Sequence, residues 1–136
     1  MTNELNTAEE WLVTTLKAST TLMGLVAGVH TGSVPAEDKD SDYPCVLIQY
    51  ARGNDYLMVG RKRLMTDAYY VVRGIALERD SEDLADIASA IDTALDRQGA
   101  EGIRCWREEP YRQEEIDSGV KYLHDGGLYR IQIQSD

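Results

Sequence analysis

Residues 80–99 read DSEDLADIASAIDTALDRQG, and in this stretch a start signal, an apolar period and a stop signal agree. Ser81, or Asp80 beside it, offers an oxygen to a free first-turn N–H, while Glu82, Asp83 and Asp86 place negative charge at the positive end of the helix dipole. Leu84, Ile87, Ala88, Ile91, Ala94 and Leu95 recur at three- and four-residue spacing and form one apolar stripe, with Asp86, Ser89, Asp92, Asp96 and Arg97 largely opposite. Gly99 is of the residue type that ends a helix in the left-handed conformation. Runs rich in strand formers flank the stretch at 68–77 and 103–106, so the stripe of Leu84, Ile87, Ala88, Ile91 and Leu95 is expected to lie on a sheet.

Upstream, AYYVVRGIALE (68–78) is the longest strand candidate, with Val72, Gly74 and Ala76 making a small face that a helix can approach closely. CVLIQYA (45–51) follows Pro44 and is apolar on both faces, which places it inside a sheet. Between them, RGNDYLMVGRKRLMTD (52–67) carries turn residues at Gly53, Asn54, Asp55 and Gly60 and reads as a long hairpin arm or a mobile loop. Residues 29–34 are weakly strand-like, and 35–44 suit an exposed acidic loop. Thr7 to Glu10 has the form of a capping box, so a first helix is expected over 8–19, with a second cap at 19–21 for a short helical turn.

Downstream, a strand is expected over 103–108, ending at Pro110, and 111–119 turns or extends as an arm. His124 before Asp125-Gly126-Gly127 reads as a turn residue feeding a last strand over 128–134, where Tyr129, Ile131 and Ile133 alternate with Arg130, Gln132 and Gln134. The expectation is one α+β domain over 1–136, a two-layer sandwich in which two helices pack on one face of a mainly antiparallel sheet of four to five strands. The strands at 45–51 and 68–78 carry more apolar side chains than one helical layer covers, which suggests that another subunit covers the rest.

A chain of 136 residues is one domain by its length and needs no disulfide or metal as a staple. Its net charge of −10 opposes wrapping of nucleic acid or adsorption to an anionic membrane. No run is long and apolar enough to span a bilayer, and the N-terminus has neither the cationic start nor the apolar core of a secretion signal, so a cytosolic chain without a membrane partner is expected. Cys45 and Cys105 sit in strand candidates, where a thiol acts as a small apolar side chain.

Signatures of phosphate cradling, nucleophilic hydrolysis or zinc catalysis are absent from the sequence. Asp38, Asp40 and Asp42 alternate as calcium ligands do, but the loop lacks the Gly of the sharp turn and has Gln49 where the bidentate Glu belongs. Glu108, Glu109, Glu114, Glu115 and Asp117 have charged neighbours that keep them solvated, and no cofactor or metal is expected. Arg61, Lys62 and Arg63 form the single basic cluster of an acidic chain. The plain reading is a solvated hairpin tip; the functional readings are contact with an acidic surface of a neighbouring subunit or partner, made together with Tyr56, Leu57 and Met58 of the same arm, and contact with nucleic acid.

Taken together, AEEWLVTTLKA (8–18), YPCVLIQY (43–50), AYYVVRGIALE (68–78), SEDLADIASAIDTALD (81–96) and GGLYRIQIQ (126–134) resemble the tail-terminator, or tail-completion, proteins of long-tailed bacteriophages. The likeness lies in element order, length and apolar pattern. It implies a non-catalytic α+β subunit, a virion protein assembled in the host cytoplasm, that closes with itself into a ring, commonly a hexamer. In that family the ring sits at the head-proximal end of the tail tube, ends polymerisation of the tube protein and joins a head-completion or neck protein of the DNA-filled head. DNA would pass through its lumen without specific binding. The alternatives are a head-completion or neck protein of similar size, and a small carboxylate- or metal-dependent hydrolase built on the acidic loops.

Overall fold

The computed structural model describes residues 4–33, 42–59 and 62–134, and for 56–59 and 62–64 the backbone alone. Among these, the chain runs through α1 (Glu4–Lys17), α2 (Thr20–Met23), β1 (Val29–Thr31), β2 (Cys45–Val59), β3 (Lys62–Leu77), a 3-10 turn (Glu78–Asp80), α3 (Leu84–Leu95), β4 (Gly99–Ala100), β5 (Ile103–Asp117) and β6 (Val120–Gln134). The class is α+β, as expected, but the sheet is mixed and has six strands in the order β1-β2-β3-β6-β5-β4. β1 runs parallel to β2, and every other neighbouring pair is antiparallel.

The helices share one face. Ala8, Leu12 and Leu16 of α1 and Leu22 of α2 close a core with Ile87, Ala90, Ile91 and Leu95 of α3 over Val46, Ile48, Tyr70, Val72, Tyr129, Ile131 and Ile133 of the sheet. α3 buries Leu84, Ile87, Ala90, Ile91 and Leu95, whereas Ala88 is only half-buried, so Ala90 completes the stripe in place of Ala88. The small face of β3 brings this helix close: a Cβ on Gly74 would stand 2.6 Å from Ile87 Cγ2.

Both ends of α3 differ from the sequence expectation. Ser81 spends its hydroxyl on the Glu78 carbonyl at 2.9 Å, which closes the 3-10 turn, and the helix begins at Leu84. At the other end Arg97, with φ 61, takes the left-handed conformation expected of Gly99. Gly99 instead lies in β4, where a Cβ would meet the Ile103 carbonyl oxygen at 2.3 Å. α1 starts at Glu4, so Thr7 falls within the helix and not at its cap. Ser19 does cap α2, its hydroxyl accepting from the Leu22 N–H at 3.2 Å.

The strands are longer than expected, and this is the main correction. β2 and β3 remain paired from Cys45↔Ile75 to Val59↔Lys62, with one bulge between Tyr50 and Arg52, so 52–67 is a hairpin. Pro110 does not end β5, because β5 is near the sheet edge, where a missing N–H is tolerated. β6 begins at Val120, and the triplet Asp125-Gly126-Gly127 lies inside it: Gly126 faces Arg73, and Gly127 faces Val72. Ser118 (φ 52) and Gly119 (φ 80) form the tight turn between β5 and β6, the two-residue type whose twist matches the strands it joins.

The apolar surplus on the other face of the sheet is largely absorbed within the chain. Cys45, Leu47, Ile75, Leu77 and Tyr122 form a second, smaller cluster, against which Tyr43 and Val120 pack. The Tyr43 and Tyr122 rings lie 5.2 Å apart at 50°. Among the described residues the large hydrophobic side chains left exposed are Tyr50 and Ile116, so burial of apolar sheet surface does not by itself require a partner.

Candidate functional site

The face of the sheet without helices carries two rows of arginine and aromatic residues. Directly opposite partners across antiparallel strands share a face, so Arg52, Tyr69, Arg130 and Trp106 form one row across β2, β3, β6 and β5. The Arg52 guanidinium lies 4.2 Å from the Tyr69 ring centroid, and that of Arg130 lies 5.8 Å from the Trp106 centroid. Arg130 Nη2 also donates to Asp67 Oδ2 at 2.8 Å, and this bond holds its basicity above the ordinary arginine value. The atoms that would complete a bidentate fork, Asp67 Oδ1 and Arg130 Nε, are buried without a hydrogen bond.

The second row is Leu47, Arg73, Gly126 and Tyr111. Gly126 leaves a gap through which Arg73 reaches the Tyr111 ring, 5.1 Å from its centroid. A Cβ there would lie 2.1 Å from the Val72 carbonyl oxygen and 2.9 Å from Arg73 Cβ. Arg73 Nε donates to His124 Nδ1 at 3.0 Å, which puts the imidazole proton on Nε2, 3.3 Å from Glu115 Oε1. Arg73 and His124 are both buried. Burial, and then the charge of Arg73, push His124 below its ordinary basicity. Burial likewise lowers Arg73, against the opposing pull of Tyr111 and Glu115. His124, read from sequence as a turn residue, is therefore a buried link between β3 and the β5–β6 hairpin. The signal that finds it is the period-two alternation of Val120, Tyr122 and His124 into Gly126.

The sheet edges and hairpins complete the site. β4 pairs with β5 only at Ile103 and Arg104, the 96–98 turn takes up Cys105 and the Arg107 N–H, and beyond that β5 has an open outer edge among the described residues. Residues 108–117 along that edge are exposed apart from half-buried Tyr111 and include Glu108, Glu109, Glu114, Glu115 and Asp117. Tyr56, Leu57, Met58, Lys62 and Arg63 lie in the β2–β3 hairpin, and Arg61 lies outside the described residues, as do Asp38 and Asp40. The β2–β3 register runs past the Met65↔Gln134 pair toward Lys62, whereas the β5–β6 register runs past Leu77↔Tyr122 toward Asp117. The basic and acidic hairpin tips thus point out of opposite ends of one sheet.

No group of side chains among the described residues could hold a metal ion. A cleft of about 470 Å³ between α2 and α3 is lined by Ser19, Thr21, Leu25, Asp86, Ser89, Ala90 and Thr93, a set without a converging acid, base and nucleophile. Cys45 and Cys105 are buried thiols in separate clusters on opposite faces of the sheet. Among the described residues no helix is long and apolar enough to cross a membrane.

This arrangement defines a mixed six-stranded α+β sheet with helices on one face and none on the other, and one solved structure shares it. That structure, which bears a sequence identifier in place of a functional name, superposes over 100% of this chain and 97% of its own with a TM-score of 0.58 and 12% identity, which establishes the fold alone. Another, the bacteriophage SPP1 gp17 protein, aligns with 94% of this chain and 88% of its own at 17% identity, but a TM-score of 0.43 does not establish a shared fold. No protein-family model matches the chain. No curated protein matches it either.

Proposed function

We propose that this chain is a structural virion-assembly protein of the tail-terminator kind. Copies would close into a ring on the head-proximal end of a phage tail tube, end tube polymerisation and join the tail to the filled head. The observation that carries this reading is the pair of hairpins at opposite ends of the sheet. Strands of 15 and 16 residues extend about 50 Å, whereas α1 and α3, of 14 and 12 residues, extend about 21 and 18 Å, and residues 108–117 are exposed apart from half-buried Tyr111, so the sheet reaches beyond its helical cover at the β5–β6 end. A projection at each end lets every copy touch a different neighbour on either side, as a cyclic interface demands. The element order and the apolar pattern of the sequence agree with that role. A net charge of −10 suits a lumen that DNA crosses without adhering.

The reading assigns the chain no catalysis and places it in the virion. The test is removal of its gene from the phage that encodes it, followed by imaging of the particles. Overlong tails and filled heads without tails are expected; tails of normal length joined to heads would overturn the reading.

A further inference from the structure

We infer that two copies of this chain pair edge to edge through β5, antiparallel over residues 109–117 about a two-fold axis at Gln113, so that their sheets become one. The inference goes beyond the ring reading: a cyclic ring joins unlike patches, whereas this contact uses one patch twice and so joins copies outside a ring. The length of the open edge sets its extent. β4 pairs with β5 only at Ile103 and Arg104, and the 96–98 turn takes up Cys105 and the Arg107 N–H. Past the bulge between Arg107 and Glu109, β5 is paired with β6 on one side and open on the other among the described residues, an edge that strand addition satisfies. A second β5 laid along 109–117 stops just short of the turn that covers Arg107, and the midpoint of that stretch is Gln113.

The hydrogen-bond ladder selects the same register. Asp117 and Val120 close the two-residue turn at Ser118 and Gly119, so they form a hydrogen-bonded pair, and every second residue back along β5 bonds to β6 likewise. Ile116, Glu114, Arg112 and Pro110 therefore turn their backbone groups outward. Pro110, which has no N–H, falls where the ladder with β6 needs none. About Gln113, Arg112 meets Glu114 of the second copy and Pro110 meets its Ile116, outward groups against outward groups; a shift of one residue would set outward groups against groups already used.

Side chains decide among the registers that the ladder allows. Both Arg112–Glu114 contacts are of opposite charge, and Ile116, exposed in the single chain, is covered by Pro110. An axis at Arg112 would set Arg112 against itself, and an axis at Glu114 would do the same to Glu114. Arg112, 81% exposed, gives one nitrogen to Asp125, and Glu114 gives one oxygen to Lys121, which leaves the rest of each group for the second copy. On the other face Glu109 meets Asp117, a like-charge pair that opposes the contact and keeps it reversible.

Cysteine substitution tests the register on the full chain. Gln113 meets itself only about this axis, at a site without ladder hydrogen bonds to the second copy, where opposite Cα atoms stand about 4.5 Å apart, within reach of a disulfide. Cys45 and Cys105 are buried. Mild oxidation should link Gln113→Cys into a covalent dimer and leave Glu115→Cys, which faces Tyr111 of the second copy, unlinked. Sedimentation over a concentration series at low salt tests the charges. The unmodified chain is expected to form a reversible dimer. Arg112→Glu and Glu114→Arg should each weaken it about tenfold or more, and an equimolar mixture should restore it, because each contact then again joins unlike charge. An unmodified chain that stays monomeric, Gln113→Cys that links no faster than Glu115→Cys, or a mixture that associates no more tightly than its components would each overturn the inference. If a charge variant loses the native circular dichroism spectrum, the two cysteine variants decide alone. Tails of normal length without the gene would remove the tail-terminator function and leave this pairing standing.

Discussion

Arg73 Nε and His124 Nδ1 meet at 3.0 Å inside the sheet, so a permanent cation is held by a neutral imidazole and not by a carboxylate. The bond fixes the imidazole tautomer and hands the second ring nitrogen to Glu115. Replacing His124 with Ala leaves the Arg73 donor buried without its acceptor and should cost about 2–4 kcal/mol. His124→Gln, which can accept from Arg73 and donate toward Glu115, should recover most of that loss in urea unfolding.

The same bond sets a pH dependence. His124 is pushed below its ordinary value of 6.5 in the folded chain, first by burial and then by Arg73, so the unfolded chain takes up the proton first. The stabilisation is therefore complete above about pH 6.5 and is lost as the pH falls from there toward the depressed folded value. Urea midpoints measured from pH 7.5 down to pH 5 should decline, and the decline should flatten in His124→Gln. An equal slope in both chains would remove His124 as its source.

Substitutions on α3 separate the stripe read from sequence from the one that packs. Ile91→Asp and Ala90→Asp each bury an unpaired carboxylate and should cost several kcal/mol, enough to abolish cooperative unfolding. Ala88→Asp, at a half-buried position, should cost about 1 kcal/mol and leave the transition intact in thermal circular dichroism.

Gly126→Ala drives a methyl group against the Val72 carbonyl oxygen and the Arg73 backbone, with no flexible side-chain end to yield. A loss of about 1–3 kcal/mol is expected in thermal unfolding. The fluorescence of Tyr111, whose ring Arg73 covers across this gap, should change with it. At Gly119 the added methyl enters open space, and only the positive φ opposes it, so Gly119→Ala should cost about 1 kcal/mol.

The thiols provide a check on the two clusters. Burial, followed by Asp96 and Asp92, pushes the Cys105 thiol up to about 12, and Cys45 is fully buried. Neither should react with a thiol reagent at pH 8 in the native chain, and both should react once urea unfolds it. Rapid native modification of one equivalent would mean that one cluster opens.

How much of this was legible in the sequence depended on how local the cause was. The α3 stripe and the small face of β3 were readable because Leu84, Ile87, Ile91 and Gly74 follow the geometry of one element. Chain-breaking residues misled because their meaning was tertiary. Gly99 admits the Ile103 carbonyl, Gly126 admits Arg73, and Pro110 lies on an outer strand, but each resembles the end of an element when only its neighbours are considered. The apolar surplus was misassigned for the same reason: Tyr122, which closes the cluster of Cys45 and Ile75, comes from β6, whose first residue, Val120, is 75 positions beyond Cys45. Of the candidate site, the signs of the two charged hairpins were visible in composition. That they leave opposite ends of the sheet became visible only with the strand register.

The two-residue turn at Ser118 and Gly119 means that the β5–β6 prong has almost no slack at its tip. Its reach is counted in rungs of the ladder, so it can grow or shrink only by matched pairs of residues, about 7 Å for every two added to each strand. An odd insertion in one strand would send Glu115, which meets His124, to the opposite face. Such a prong acts as a gauge, and the spacing of whatever it touches must be commensurate with it.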